Sequence, residues 1–441
     1  MELNHNEKIR GYIDSVCTQV RFRDVHRDVG LELEAHIEEI AEEHLAQGLS
    51  EEQAIEQAIA QMGDADIIGK QLNKVHKPKP EWSVLLFSFL FTGIGLLAMY
   101  IIQRYGLMLT SYSIPMPIFE KSLAFAVTSL ALIVCLYFFD YRKLEKYSMY
   151  IYLGTLLILA FTVFQGVQVG GSSSWIRIGS FNINFVAISP LLLIIALAGI
   201  FDKWDWQNRI KRLQGFALLA VPLFLLLSAP SISSAIIFAT SCIVIMIVSG
   251  AKFKEVILIC SPLIAMLVIP IITAPYRLSR LLIFLNPETD PMGSGYINTL
   301  LREIISDAGL FGQGLSYNIY TGSPVFLNIH TDFMFAFITY TFGWIASILL
   351  TTFIVMFLIQ IARIAKVVKI NYAKSLISGF VSILAMQFLW NLAMNLGLAP
   401  ISAISLPFMS YGGSQLVINA VMIGIISSIY RRKSISEVYN S

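Results

Sequence analysis

The sequence predicts an all-α fold: a polytopic membrane protein with about ten transmembrane helices and a small soluble helical bundle at the N-terminus. Three observations lead there. The 441 residues are 56% hydrophobic and only 14% charged, with a mean hydropathy of +0.70, whereas soluble domains carry about 25% charged residues. The charge is segregated: residues 1–80 hold nine Lys/Arg and sixteen Asp/Glu, and the remainder twenty-two and thirteen. Apolar runs of about 20 residues, the length that crosses a hydrocarbon core, recur after Trp82.

Residues 1–76 form the acidic helical module. Ile9, Ile13, Val16 and Val20 recur at helical spacing, as do Leu31, Ile37, Ile40 and Leu45, then Ala54, Ile55, Ala58 and Ile59. Gly48 and Gly63 fit helix stops, and Ser50 with Gln53 fits a capping box. His36 and His44 stand two turns apart among glutamates, a spacing open to a metal ion or, more simply, to a solvated acidic face. Residues 77–82 begin Lys77-Pro78-Lys79-Pro80 and cannot continue a helix, because proline lacks the N–H. The module reads as a regulatory or docking domain for an unidentified cytoplasmic partner. No N-terminal signal sequence is expected, since the first apolar run starts near Trp82. The four cysteines form no CxxC pair and read as packing residues.

The candidate spans are 83–102, 118–139, 148–166, 183–201, 213–229, 231–249, 255–275, 331–360, 375–396 and 411–430. With residues 1–80 inside, the inner segments carry sixteen Lys/Arg and the outer ones six. This bias puts both termini, including the tail 431–441, in the cytoplasm. The polar stretch 276–330 then faces outward. It holds Asn286-Pro287-Glu288-Thr289-Asp290-Pro291 and then Gly293-Ser294-Gly295. Long loops between membrane helices are where sites are built; the plainer reading is a passive linker. No P-loop and no GxGxxG after a strand is present. Cytosolic nucleotides do not reach an outward site, so chemistry there runs on an energy-rich substrate delivered through the membrane. No nucleic-acid partner is expected.

The strings NPxxDPxGSGY…HTDF at 286–333, Gly171…Trp175-Ile176-Arg177-Ile178-Gly179, Leu398-Ala399-Pro400 and Leu406-Pro407-Phe408-Met409-Ser410-Tyr411-Gly412-Gly413-Ser414 resemble the FtsW/RodA/SpoVE family of bacterial shape, division and sporulation proteins. The resemblance spans about residues 83–430. It implies a ten-helix domain of the bacterial plasma membrane that polymerises lipid II, the undecaprenyl-pyrophosphate-linked disaccharide-peptide, beside a class B penicillin-binding transpeptidase. The family's essential loop aspartate falls on Asp290. A carboxylate there can accept the proton of an attacking sugar 4-hydroxyl. Arg277 and Arg280 are candidates to meet the departing pyrophosphate, or else interfacial anchors. Trp175, His330 and Asp332 are further substrate-binding candidates, the last two with a hydrogen-bonding alternative. Gly293 and Gly295 are expected to fold a turn around Asp290, and Pro407, Gly412 and Gly413 to break the helix near the outer surface. No cofactor and no metal ligand set is identified; a divalent cation stays open.

The resemblance also has gaps. Ala187 and Pro190 stand where the family carries Glu and Lys, and Ser231 where it carries Asp. Ile297 and Leu300 replace glutamines, and Tyr340-Thr341 replaces a pair of acids. Intramembrane ionisable residues are costly and kept for function, so their loss favours, as the alternative to the polymerase, a non-catalytic scaffold for a transpeptidase; a lipid II transporter, which needs a polar path for the headgroup, is the less supported third reading.

The charge bias makes the orientation testable. A Ser316→Cys protein should react with a membrane-impermeant thiol reagent in intact cells; labelling only after lysis would reverse the topology.

Overall fold

The computed structural model describes residues 7–78, 80–105, 117–169, 172–179, 181–315 and 328–433. Lys79, Gly171, the stretch 316–327 and the tail after Lys433 lie outside them. The chain divides into two compact units, one of Met1–Pro80, Val368–Ile370 and Tyr430–Ser441, the other of Glu81–Val367 and Asn371–Ile429.

The first unit contains α1 (Glu7–Gln19), α2 (His26–Ala46), α3 (Glu51–Met62) and α4 (Ala65–Val75). Ile9, Val16, Ile37, Ala54, Ile55 and Ala58 are buried, as their spacing predicts. In α2 the buried stripe is Val29, Leu33, Ile37 and Ala41. Of the sequence-derived set only Ile37 lies on it; Leu31, Ile40 and Leu45 are half-buried, because the face is set by residues four apart from Val29. Gly48 and Gly63 adopt φ near +92° and +93°, which suits glycine at a helix end. Gln53 Oε1 accepts from the Ser50 N–H at 3.4 Å. Within this unit Arg432, 2% exposed, donates from Nε to Asp24 Oδ2 at 2.7 Å.

The second unit begins with α5 (Trp82–Arg104), α6 (Ile118–Phe138), the short α7 (Arg142–Lys146) and α8 (Ser148–Gln165). It continues with α9 (Phe185–Ile200), α10 (Arg209–Ser228), α11 (Ile232–Val248) and α12 (Phe253–Thr273). Then come α13 (Pro275–Leu285), α14 (Tyr296–Asp307), α15 (Met334–Val367), α16 (Asn371–Asn395) and α17 (Gly413–Arg431). All ten apolar runs are helical. Eight are long and apolar enough to cross a membrane, and α9 and α11 are shorter apolar helices. The protein is a multi-pass membrane protein. Helix α9 is apolar all round and almost wholly buried, packed on α8, α11 and α16, so it forms the centre of the unit.

Two features depart from a plain run of helices. Residues 167–184, taken as loop and span by sequence, form an antiparallel sheet of β1 (Val167–Val169), β2 (Ser172–Ile178) and β3 (Phe181–Asn184). This is a small addition to an otherwise helical fold. Helix α15 runs beyond the expected 331–360 and breaks at Gly343, where φ is 85° and ψ 175°. The break releases backbone groups, and loop 309–314 takes them up. Gln313 and Gly314 N–H donate to the Tyr340 and Thr341 carbonyls at 2.8 and 3.2 Å. Trp344 and Ile345 N–H donate to the Gly309 and Leu310 carbonyls at 3.1 and 3.2 Å.

A Cβ at Gly343 would overlap the Leu310 carbonyl, and one at Gly312 the Thr341 carbonyl. Both residues also hold positive φ. Gly343→Ala should therefore destabilise the protein by about 1–3 kcal/mol, read as a lowered Tm in detergent. Gly154→Ala, in α8 with open space around it, is the control and should not lower Tm.

Candidate functional site

Asp290 follows a 3₁₀ turn, Pro287–Thr289, that continues α13. Its side chain folds back over its own turn: Oδ2 accepts from the Ser294 N–H at 2.8 Å. The Asp290 carbonyl accepts from Gly293 and Gly295 N–H at 3.3 and 3.0 Å. Contact, not backbone angle, requires these glycines. Neither has positive φ, but a Cβ at Gly293 would overlap the Asp290 carboxylate, and one at Gly295 the Pro287 carbonyl. Asp290 is exposed, and its Oδ1 has no hydrogen-bond partner among the described residues. A carboxylate fixed by one oxygen and open at the other can take a proton from an incoming hydroxyl.

The two arginines of α13 divide. Arg277 donates from Nε to Tyr276 Oη at 2.6 Å and from Nη1 to the Pro270 carbonyl at 3.4 Å, so it caps the end of α12. Arg280 is exposed, with no hydrogen bond or ion pair among the described residues.

His330 and Asp332 lie in an interlock of three segments. The His330 carbonyl accepts from Tyr411 N–H at 2.6 Å, and their rings stand 5.5 Å apart. Ser410 Oγ donates to the Thr331 carbonyl at 2.6 Å and accepts from Leu406 N–H at 2.9 Å. The Asp332 carbonyl accepts two side-chain amides, Asn391 Nδ2 at 3.0 Å and Asn395 Nδ2 at 3.1 Å. Asn391 also donates to the Ile404 carbonyl at 2.7 Å, and Asn395 Oδ1 accepts from Ala336 N–H at 3.3 Å. Burial pushes the Asp332 carboxyl up to about 6 and pulls His330 down to about 4. His330 Nδ1 is buried with no partner among the described residues. The sequence reading missed Asn391 and Asn395. Their signal was present: amides one helical turn apart in an apolar run.

The loop 406–412 gives one correction. Gly412 and Gly413 were expected to supply unusual backbone angles, but neither has positive φ; Phe408 does, at 64°. Gly413 opens α17, and its small size serves contact, since a Cβ there would overlap the Phe125 ring. Pro407 stands in the turn that precedes that helix.

Ala187 and Pro190 line an intramembrane cavity of about 50 Å³ with Ser233, Ser234, Gln387 and Gln415. Its lining is neutral. Pro190 lacks the N–H that would bond to Val186, and Ser189 Oγ donates to that carbonyl at 2.9 Å instead. Gln415 Nε2 donates to Gln387 Oε1 and Asn419 Oδ1, each at 3.2 Å. Ser231 donates to Ser234 Oγ at 3.0 Å. Trp175 sits on β2 opposite Asn184, in a sheet that packs on α8 and α9. The Asp290 turn packs on α13 and α14, and no hydrogen bond or ring contact joins Trp175 to it among the described residues.

A family model described as "Cell cycle protein" matches residues 81–435. A probable peptidoglycan glycosyltransferase FtsW of Coxiella burnetii is 31% identical over 296 residues, 65% of this chain and 78% of that protein. Stage V sporulation protein E of Bacillus subtilis is 27% identical over 368 residues, 80% of this chain and 98% of that protein. Among solved structures, a chain from a peptidoglycan synthase complex superposes with TM-score 0.67 at 22% identity, covering 82% of this chain and 99% of its own. The rod shape determining protein RodA of Thermus thermophilus superposes with TM-score 0.60 at 20% identity, covering 81% and 98%. These superpositions establish a shared fold.

The buried Asp332 has a measurable signature. Its folded pKa of about 6 exceeds the ordinary 3.8, so between these values the folded state binds more protons and stability falls as pH rises. Asp332→Asn should match the parent in Tm near pH 3.5 and gain over it progressively up to pH 6, then hold a constant lead. A lead that shrinks as pH rises would show that the ionised carboxylate is stabilised where it sits.

Proposed function

The chain belongs to the FtsW/RodA/SpoVE family, and on that premise we propose that it polymerises lipid-linked disaccharide-peptide on the outer face of the bacterial plasma membrane, with Asp290 as general base. The observation that carries the proposal is the Asp290 turn, with Oδ2 tied to Ser294 N–H and Oδ1 open. An acceptor sugar 4-hydroxyl gives its proton to Asp290 as its oxygen attacks the anomeric carbon of a second lipid-linked chain. The bond from that carbon to the pyrophosphate oxygen breaks, and undecaprenyl pyrophosphate leaves with the electron pair. Arg280 is the cation of α13 open to meet that charge, while Arg277 holds the end of α12. His330 and Asp332 sit where loop 406–412 meets the start of α15 and orient the polar mouth of the site. Trp175 is assigned to the substrate surface of the small sheet. Both termini are cytoplasmic in this proposal, with a class B transpeptidase as partner; the likeness to a chain of a peptidoglycan synthase complex supports a partnered assembly.

One observation favours a second reading. The cavity beside Ala187 and Pro190 has no ionisable residue in its lining, which fits a membrane scaffold that holds a transpeptidase without polymerising glycan.

Asp290→Asn separates the two. The amide keeps the shape but does not take the proton. Loss of the base should lower lipid II polymerisation by about 10²–10⁴-fold, with expression and partner co-purification unchanged. Glu288→Gln, on the same exposed turn, should retain most activity. An Asp290→Asn protein that supports growth or sporulation as the parent does would establish the scaffold.

A further inference from the structure

We propose that α13 is a membrane-surface helix: its leucine face sinks into the acyl boundary of the leaflet on the Asp290 side, and its arginine edge binds the phosphates of anionic phospholipids. Helix α13 has no buried residue. Tyr276, Leu281, Leu282 and Leu285 are 56%, 37%, 56% and 68% exposed. At helical spacing Leu278, Leu281, Leu282 and Leu285 share an arc of about 100°, with Arg277 and Arg280 to one side. This is the pattern of a helix that lies in the headgroup boundary.

Three further observations select the bilayer as occupant. The helix starts one residue after α12, a membrane-length helix whose last turns expose Ile269 and Ile272 to lipid. Ala274 supplies an extended joint, φ −96° and ψ 110°, that ends one helix and starts the other. No Asp or Glu occurs between Glu255 and Glu288, so the arginines face no competing carboxylate on their own helix. Arg277 keeps one nitrogen on the Pro270 carbonyl, and Arg280 is exposed, as a phosphate layer requires. Tyr276 adds the amphipathic ring common at that depth. The proposal concerns bulk phospholipid and holds whether or not the chain polymerises glycan.

The full-length protein in nanodiscs, without lipid-linked substrate, tests it. p-Benzoyl-phenylalanine at Leu282 or Leu285 should give phospholipid adducts on irradiation. Adducts to a second polypeptide, or none while the same probe at Ile269 reacts with lipid, would overturn the proposal. The headgroup half is read by amide hydrogen exchange of residues 276–285 in phosphatidylcholine discs with and without phosphatidylglycerol. Exchange should slow by about fivefold for each engaged arginine, and Arg280→Glu should cancel the slowing that Arg280 provides. Equal exchange in the two lipids would overturn the anionic preference. Loss of the polymerase activity with these lipid results intact would count only against the enzymatic reading.

Discussion

The four hydrogen bonds between the broken α15 and loop 309–314 are the constraint to which α14 and the Asp290 turn are referred. Backbone amides and carbonyls inside a membrane protein need internal partners, because lipid offers none. Gly343 interrupts a long apolar helix, which would strand both donors and acceptors. The loop supplies one of each kind twice over, in a short ladder like that between strands. Loop 309–314 follows α14, which packs on α15 and on the 3₁₀ turn before Asp290. The position of Asp290 is thereby referred through α14 to a membrane helix instead of to a mobile linker. The need to keep the backbone satisfied and the need to hold a carboxylate in place are met by one set of contacts.

A second polar frame runs along α16 and α17. Gln387, Asn391 and Asn395 are spaced one turn apart on one face of α16, and Gln415 and Asn419 likewise on α17. Neutral amides both donate and accept, so they join segments without the desolvation cost of an ion pair. At the end near the start of α15 they fix the carbonyls of Asp332 and Ile404; further along, they border the cavity at Ala187 and Pro190. His330 and Asp332 thus lie at the α15 end of this frame, and the cavity at Ala187 and Pro190 is lined by neutral residues. That division is consistent with chemistry at the surface turn and with structural work below it.

The sequence revealed the ten apolar helices because each buries or exposes a run whose length matches a bilayer, a signal that survives local irregularity. It also singled out Asp290 as a candidate, through the polar loop that holds it and a motif. The sheet at 167–184 stayed hidden because Ser172-Ser173-Ser174 reads as a polar linker and its strands lack a long alternation. The break at Gly343 was not visible because glycine is common inside membrane helices. What makes it a break is a loop thirty residues earlier, which no local window contains. The register of α2 slipped from Val29 and Leu33 to Leu31 because an acidic, weakly patterned helix offers two nearly equivalent faces. Asn391 and Asn395, amides one turn apart in an apolar run, were legible as polar residues there, but their role depends on the Asp332 and Ile404 carbonyls, which lie on other segments.

The order of the clasp along the chain bears on biogenesis. Residues 309–314 leave the ribosome before residues 340–345, as chains are made from the N-terminus. When α15 enters the bilayer with its hydrogen-bond ladder interrupted, the loop that repairs the gap has already been synthesised. A permuted chain that supplied α15 first would present the translocation machinery with an unsatisfied break in hydrocarbon. The linear order of segments around Gly343 is therefore a constraint on insertion as well as on the finished fold.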